Sequence, residues 1–238
     1  MNDHNEMPEA ENAESDRRED IRSLAITTAR DLRTALAALT VLPFERSEPR
    51  GSGLARSSLY FPLVGLLIGA ALLATNHIGS RSTPAVSAVL LVATWAVLAR
   101  DFDGWPICLI VWPLKWWFLA RHPAVRSATF LFAPLLGRWS MVVLATGARD
   151  AENPGRKFNP GIQFREFALT SVTAGGVLLT LAQFLGIVVF VCIAAVVLAA
   201  RLALHRWIGG IRWSLLVCAS MVVELLVLAL LTMLAGAS

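Results

Sequence analysis

Charge is scarce in this sequence: 16% of its 238 residues are Asp, Glu, Lys or Arg, while 56% are hydrophobic. An ordinary soluble domain carries about a quarter of its residues as charges, so this chain has too little polar surface to cover a water-soluble globule. Cysteine is equally sparse. Cys108, Cys192 and Cys218 lie in or beside apolar runs, odd in number and without metal-ligand spacing, which excludes a disulfide framework and points to buried thiols. The first twenty residues lack both a basic start and an apolar core, so no cleaved signal peptide is expected. A net charge of +4 and a pI near 9.5 would suit a nucleic-acid partner. The Arg and Lys residues sit in short connectors between apolar runs, however, and that placement reads as membrane orientation and not as a nucleic-acid surface.

What is present is long apolar sequence. A helix rises about 1.5 Å per residue and needs roughly 20 apolar residues to cross about 30 Å of hydrocarbon. Candidate spans are Leu59 to Gly79, Pro84 to Ala99, Ala128 to Gly147 and Trp213 to Gly236, with Trp105 to Ala120 the least secure. The run Phe167 to Ala200 is too long for one crossing and divides near Gln183 to Gly186. The expected fold class is therefore all-α, a polytopic transmembrane bundle of about six spans. Leu36 to Phe44 is apolar but short and ends at Pro43, as a re-entrant or interfacial helix would. Residues 1–33, crowded with Asp, Glu and Arg, are expected to form a disordered polar tail ahead of a membrane domain over 34–238.

The loop charges orient this bundle. Arg149, Arg156, Lys157 and Arg165 fall in one connector, and Arg201, Arg206 and Arg212 in another. Positive loops stay on the inner side, which places the tail and both connectors in the cytosol, with Arg121 and Arg126 against the rule. Asp101, Asp103 and Gly104 then emerge on the cytoplasmic side. Hydrated carboxylates at that depth suit a hard cation such as Mg²⁺, although an Asp-Gly turn at a helix end accounts for them equally simply. Arg138 and Glu224 lie inside apolar spans, where an ion costs several kcal/mol unless it finds a partner. An interhelical ion pair and a phosphate contact by Arg138 are both open readings. Gly209 and Gly210 precede the last span, where exposed backbone amides suit an anion or simply make a hinge, and His205 and Arg206 stand just before them.

These points together resemble the adenosylcobinamide-GDP ribazoletransferase (cobalamin synthase) family. The resemblance is carried first by Leu39-Thr40-Val41-Leu42-Pro43 and by Tyr60-Phe61-Pro62-Leu63-Val64-Gly65-Leu66-Leu67-Ile68-Gly69, close to that family's "YFPLVGLLIG". Pro134-Leu135-Leu136-Gly137-Arg138-Trp139-Ser140-Met141 is similar to its "PxLGRWAM", followed by Ala148-Arg149 and Gly155-Arg156-Lys157-Phe158, then Gly209-Gly210 and Glu224 in the expected order. The departures cluster in one place. Of the acidic pattern "GGxHxDGxADxxDG" only Asp103-Gly104 remains, with Asp101 at the histidine position and Ile107 at the next acidic one. The stretch Gly104 to Pro134 is shorter than the family's by roughly 40 residues, and the family's Lys-Asp-Ser-Arg-Ile-Gly string has no counterpart. Trp105 to Trp117 can be back-translated so that the frame displaced by one nucleotide reads Asp-Gly-Leu-Ala-Asp-Met-Ser-Asp, its Ala forced by the Trp-Pro codons. A frameshift plus deletion in the gene fits that relation.

The resemblance implies a membrane transferase that joins adenosylcobinamide-GDP to α-ribazole or its 5'-phosphate, releasing GMP, with Mg²⁺ as cofactor, in the bacterial inner membrane. It implies Asp103 as the catalytic and metal-binding carboxylate, Asp101 as a second metal ligand, and Arg138, Arg206, Gly209 and Gly210 as phosphate contacts. A homo-oligomer, or association with other corrinoid-pathway enzymes, is compatible with it. The competing readings are a non-catalytic homologue, an assembly partner of corrinoid enzymes, and a small-molecule transporter lined by midplane polar residues.

Overall fold

A computed structural model of the chain describes residues 7–41, 52–99, 107–123, 126–147, 162–207 and 212–236. Among the described residues the regular structure is helical throughout, with no strand. Helix α1 runs Met7–Leu39, and α2, Ser52–Ser57, passes through a 3₁₀ turn at Ser58–Tyr60 into α3, Phe61–Gly79. Helix α4 is Pro84–Leu98, α5 Cys108–Arg121, α6 Arg126–Ala145, α7 Phe164–Trp207 and α8 Trp213–Gly236.

Local chemistry accounts for several of these boundaries. Proline at the first helical positions of α3 and α4 gives up an amide that would have no partner there, and Thr83 caps α4 by accepting from Val86 N at 3.5 Å. Helix α6 ends at Gly147, whose φ of +68° is the left-handed conformation that stops a helix. Helix α7 is two helices joined at Gln183, a non-glycine residue at φ +47° and ψ −125°. A Cβ on Gly186 would strike the Leu178 carbonyl, and Gly175 faces the Phe190 ring, so the two arms fold back antiparallel. The break falls inside the stretch the sequence marked for division.

Four helical stretches are long and apolar enough to cross a membrane: Ala55–Gly79, Arg126–Ala145, Phe164–Leu204 and Trp213–Ala235. Counting α7 as two arms and adding the shorter apolar helix α4 gives about six spans, as expected. Helix α5 has only 14 residues, about 21 Å of rise, and runs back along α4 toward the end where Arg126 donates to the Leu119 and Pro84 carbonyls. The bundle is apolar outside as well as in its core, and its few buried ions lie within. Leu67, Val89, Val172 and Val191 are exposed, whereas Lys115, Arg138, Ser220 and Glu224 are buried. That inversion is what a lipid solvent selects.

Helix α6 is the centre, packed on α3, α7 and α8, with 17 of its 20 residues buried. Its approach to α3 depends on Gly65 and Gly69, four residues apart on one face. A Cβ on Gly65 would stand 2.5 Å from the Pro134 carbonyl oxygen, and one on Gly69 would strike that of Phe130. Pro134 has no amide to give the Phe130 carbonyl, so this oxygen is open to the Gly69 backbone.

Two expectations are corrected. The tail expected to be disordered over 1–33 is helical from Met7, because the segment is rich in Ala, Glu, Arg and Leu, contains no glycine, and has its one proline in the first turn. The separate short helix expected from Leu36 is instead the last turn of α1, where Ala35 and Leu39 are buried; Pro43 and Phe44 lie outside the described residues.

Candidate functional site

Ser220 and Glu224 are four residues apart on α8 and so share a face, which turns toward α6. Gly137 makes that approach possible. A Cβ there would sit 2.8 Å from both the Glu224 Cγ and the Ser220 Oγ, and 2.9 Å from Glu224 Oε1. The next residue, Arg138, is 1% exposed. Its Nη1 donates to Ser220 Oγ at 2.9 Å, its Nη2 donates to the Ala99 carbonyl at 2.7 Å, and Nη1 lies 3.8 Å from Met141 Sδ. Its Nε–H has no acceptor among the described residues. The guanidinium is thus fixed in place by neutral groups, with part of its donor fork unused.

Glu224, fully buried, takes a different cation. Lys115 Nζ of α5, 1% exposed, donates to Glu224 Oε2 at 2.6 Å and also lies 4.2 Å from the centroid of the Trp95 ring. Carboxylate on one side and an aromatic face on the other hold the ammonium in an apolar interior. Removing either partner of such a pair leaves a buried ion and costs about 3–5 kcal/mol. Lys115 was not singled out in the sequence, although the signal existed: one lysine in the middle of an apolar segment, the same signal that marked Arg138 and Glu224.

Arg138 lies on the wall of a small cleft that Leu39, Ala99, Met141, Trp213 and Val217 also line. The cleft joins the ends of α1, α4 and α8 around α6. Those ends lead into the segments that carried the sequence motifs: Ala99 precedes Asp101 and Asp103, and Trp213 follows Gly209 and Gly210. These four residues lie outside the described ones. Arg206 is exposed in the last turn of α7, and its neighbouring turn is tied to α6 where Arg201 Nη2 donates to the Thr146 carbonyl at 2.8 Å. Among the described residues, no group of three or more His, Cys, Asp or Glu side chains could hold a metal ion.

Arg126, which broke the expected loop-charge pattern, is buried and not a free loop charge. It donates to the Leu119 and Pro84 carbonyls and to Ser87 Oγ, closing the end of the bundle opposite the cleft.

The adenosylcobinamide-GDP ribazoletransferase of Syntrophobacter fumaroxidans (strain DSM 10017 / MPOB) is 27% identical over 236 residues, which cover 82% of this chain and 95% of that protein. Those 236 positions exceed 82% of 238 residues, about 195, so about 40 positions of the relative have no counterpart here. No solved structure matches the chain. The profile of the cobalamin-5-phosphate synthase family matches residues 31–106 and 103–232, two stretches that overlap at residues 103–106 and together span most of the chain, and the chain therefore belongs to that family.

Proposed function

We propose that this chain is, by descent and by the construction of its cleft, an adenosylcobinamide-GDP ribazoletransferase. In this role it joins adenosylcobinamide-GDP to α-ribazole or its phosphate in cobalamin synthesis. One observation carries the reading: a buried arginine, anchored by neutral acceptors and with a donor to spare, lines a cleft where the ends of α1, α4 and α8 meet.

In this reaction a ribazole hydroxyl oxygen bonds to the phosphorus that bears the cobinamide, the bond from that phosphorus to the GMP oxygen breaks, and the hydroxyl proton is lost. Arg138, with Arg206 and the Gly209-Gly210 amides, binds and orients the diphosphate, and its charge favours the departing phosphate. Asp103 and Asp101 are the residues that would hold Mg²⁺, as hard oxygen ligands completed by substrate phosphate. When bound, the ion supplies neutralisation of developing negative charge. Two carboxylates make a weak site. The protein resides in the bacterial inner membrane with its N-terminus and the cleft on the cytosolic side, where a nucleotide-linked substrate is found.

The test is direct. The full chain, purified in detergent, is given adenosylcobinamide-GDP, α-ribazole and Mg²⁺, and GMP is measured. GMP release that falls at least about tenfold in Arg138→Gln and in Asp103→Ala supports the reading. Release no greater than that of the Asp103→Ala control favours a second reading, a non-catalytic homologue. That alternative has its own observation: the family match falls into two stretches that overlap at residues 103–106, and about 40 positions of the relative are missing.

A further inference from the structure

We infer that the exposed part of α1 is a membrane-docking surface: its apolar stripe lies on an anionic lipid surface beside the bundle, with Arg17 and Arg22 reaching the lipid phosphates. The inference needs the bundle to sit in lipid and takes nothing from the transferase reading.

The stripe is defined by spacing and burial together. Ile21, Leu24, Thr28, Leu32, Ala35 and Leu39 follow one another at steps of three and four residues, so they share one face of α1. At its C-terminal end that face is packed: Ala35 and Leu39 are buried where α1 meets α2 and the start of α3. Toward the N-terminus the same face leaves the bundle, and Ile21 stands about 21 Å along the helix axis from Ala35. Ile21 is 60% and Leu24 68% exposed, and every residue over 17–26 is exposed. Apolar residues scattered singly on a surface need no explanation, but the continuation of a packed face does.

Two observations say what covers it. The first is level. Helix α1 joins the bundle at the start of the apolar stretch Ala55–Gly79, where a spanning segment enters the membrane, so the bilayer surface lies beside it. The second is charge. Arg17 comes one turn before Ile21 on the stripe itself, and Arg22 flanks it; both are exposed. A protein partner covering the stripe would have to bury the Arg17 guanidinium in a dry contact. At a lipid surface its stem follows the apolar boundary while the guanidinium takes a phosphate. The neighbouring carboxylates do not oppose this: Glu19 and Asp20 lie off the stripe, and Asp31 is paired with Arg56 of α2 at 3.2 Å. Ile26, 71% exposed, is two residues beyond Leu24 and therefore on the far side of the helix, turned from the lipid.

The experiment places a fluorophore on the full chain, with Cys108, Cys192 and Cys218 replaced by alanine and one cysteine introduced, Thr28→Cys on the stripe or Ile26→Cys off it. The labelled chain is reconstituted into vesicles with brominated acyl chains, made of phosphatidylcholine alone or with an equal part of phosphatidylglycerol. With phosphatidylglycerol present, bromine is expected to quench the label at position 28 at least about twofold more than the label at position 26. That difference should fall by at least about half in phosphatidylcholine alone, and likewise in R17Q/R22Q, because the anionic surface no longer meets the two arginines. It should vanish in I21S/L24S, which removes the apolar stripe. Equal quenching of the two labels with phosphatidylglycerol present overturns the inference, as does an undiminished difference in phosphatidylcholine alone. Energy transfer between labels on two chains, with position 28 unquenched, overturns it in favour of a second copy on the stripe. Should Thr28→Cys fail to fold, Ala25→Cys on the same side of the helix gives the same reading. GMP release decides the transferase reading separately, whichever way the labels report.

Discussion

At the scale of single residues, the site is governed by what is small as much as by what is charged. Gly137 contributes no contact, yet it sets how closely α8 brings Ser220 and Glu224 to Arg138. An alanine there places its methyl 2.8 Å from a methylene of Glu224 and from the Ser220 hydroxyl, so one of them must move. Gly137→Ala is expected to cost about 1–3 kcal/mol by overpacking and to weaken pyrophosphate binding by displacing the Ser220 anchor. Thermal unfolding in detergent, together with calorimetry, measures both, and an unchanged affinity at lowered stability would show that Ser220 does not set the guanidinium's position. Arg138 and Glu224 were legible in the sequence because an ion in an apolar run needs a reason. The roles of Gly137 and Ser220 were not, since each exists only once α6 and α8 are in contact. The sequence left open a pairing of Arg138 with Glu224; the structure gives Glu224 to Lys115, a residue whose own segment looked insecure and drew no attention.

At the scale of elements, the length of an apolar run proved more informative than its composition. The division of α7 at Gln183 was legible because a stretch from Phe167 to Ala200 exceeds one bilayer crossing, and only a break near its middle lets both halves span. Helix α1 was not legible: its polar composition reads as disorder, but its residues are good helix formers with no interior breaker. The packing of α3 on α6 was not read from the sequence: Gly65 and Gly69 have the spacing of a close helix contact, but that role exists only once α6 lies against them. Gly65→Val should disrupt this contact, because its side chain would meet the backbone of Pro134 and Leu135 at 2.5–2.8 Å, and backbone cannot yield as a side chain can. A loss of about 3 kcal/mol or more, or failure to recover folded protein, is expected. Gly176, where an added methyl would meet nothing within 4 Å, is the control: Gly176→Ala should raise stability by about 0.5–1 kcal/mol through helix propensity alone. Equal effects of the two substitutions would mean that α3 and α6 do not meet through Gly65.

At the scale of the whole molecule, the bundle has two unlike ends. One gathers Ala99, Thr146, Arg201, Arg206 and Trp213, and with them the chain ends that lead into the acidic, basic and glycine segments. The other is closed by Arg126 on the Leu119 and Pro84 carbonyls and carries the turn at Gln183. Because the Arg126 charge is spent on interior carbonyls, it no longer counts against the proposed orientation, in which basic connectors stay inside. Phe184, 78% exposed beside the turn, and Arg206, exposed at the far end of the same helical hairpin, then lie on opposite sides of the membrane. With Cys108, Cys192 and Cys218 replaced by alanine, Phe184→Cys should react with a membrane-impermeant maleimide in intact cells, and Arg206→Cys only in inverted vesicles. The reverse pattern would turn the cleft outward, away from nucleotide-linked substrates, and the transferase reading could not survive it. Labelling of both positions from one side would mean that the two arms of α7 do not each cross, and the count of about six spans would fall with them.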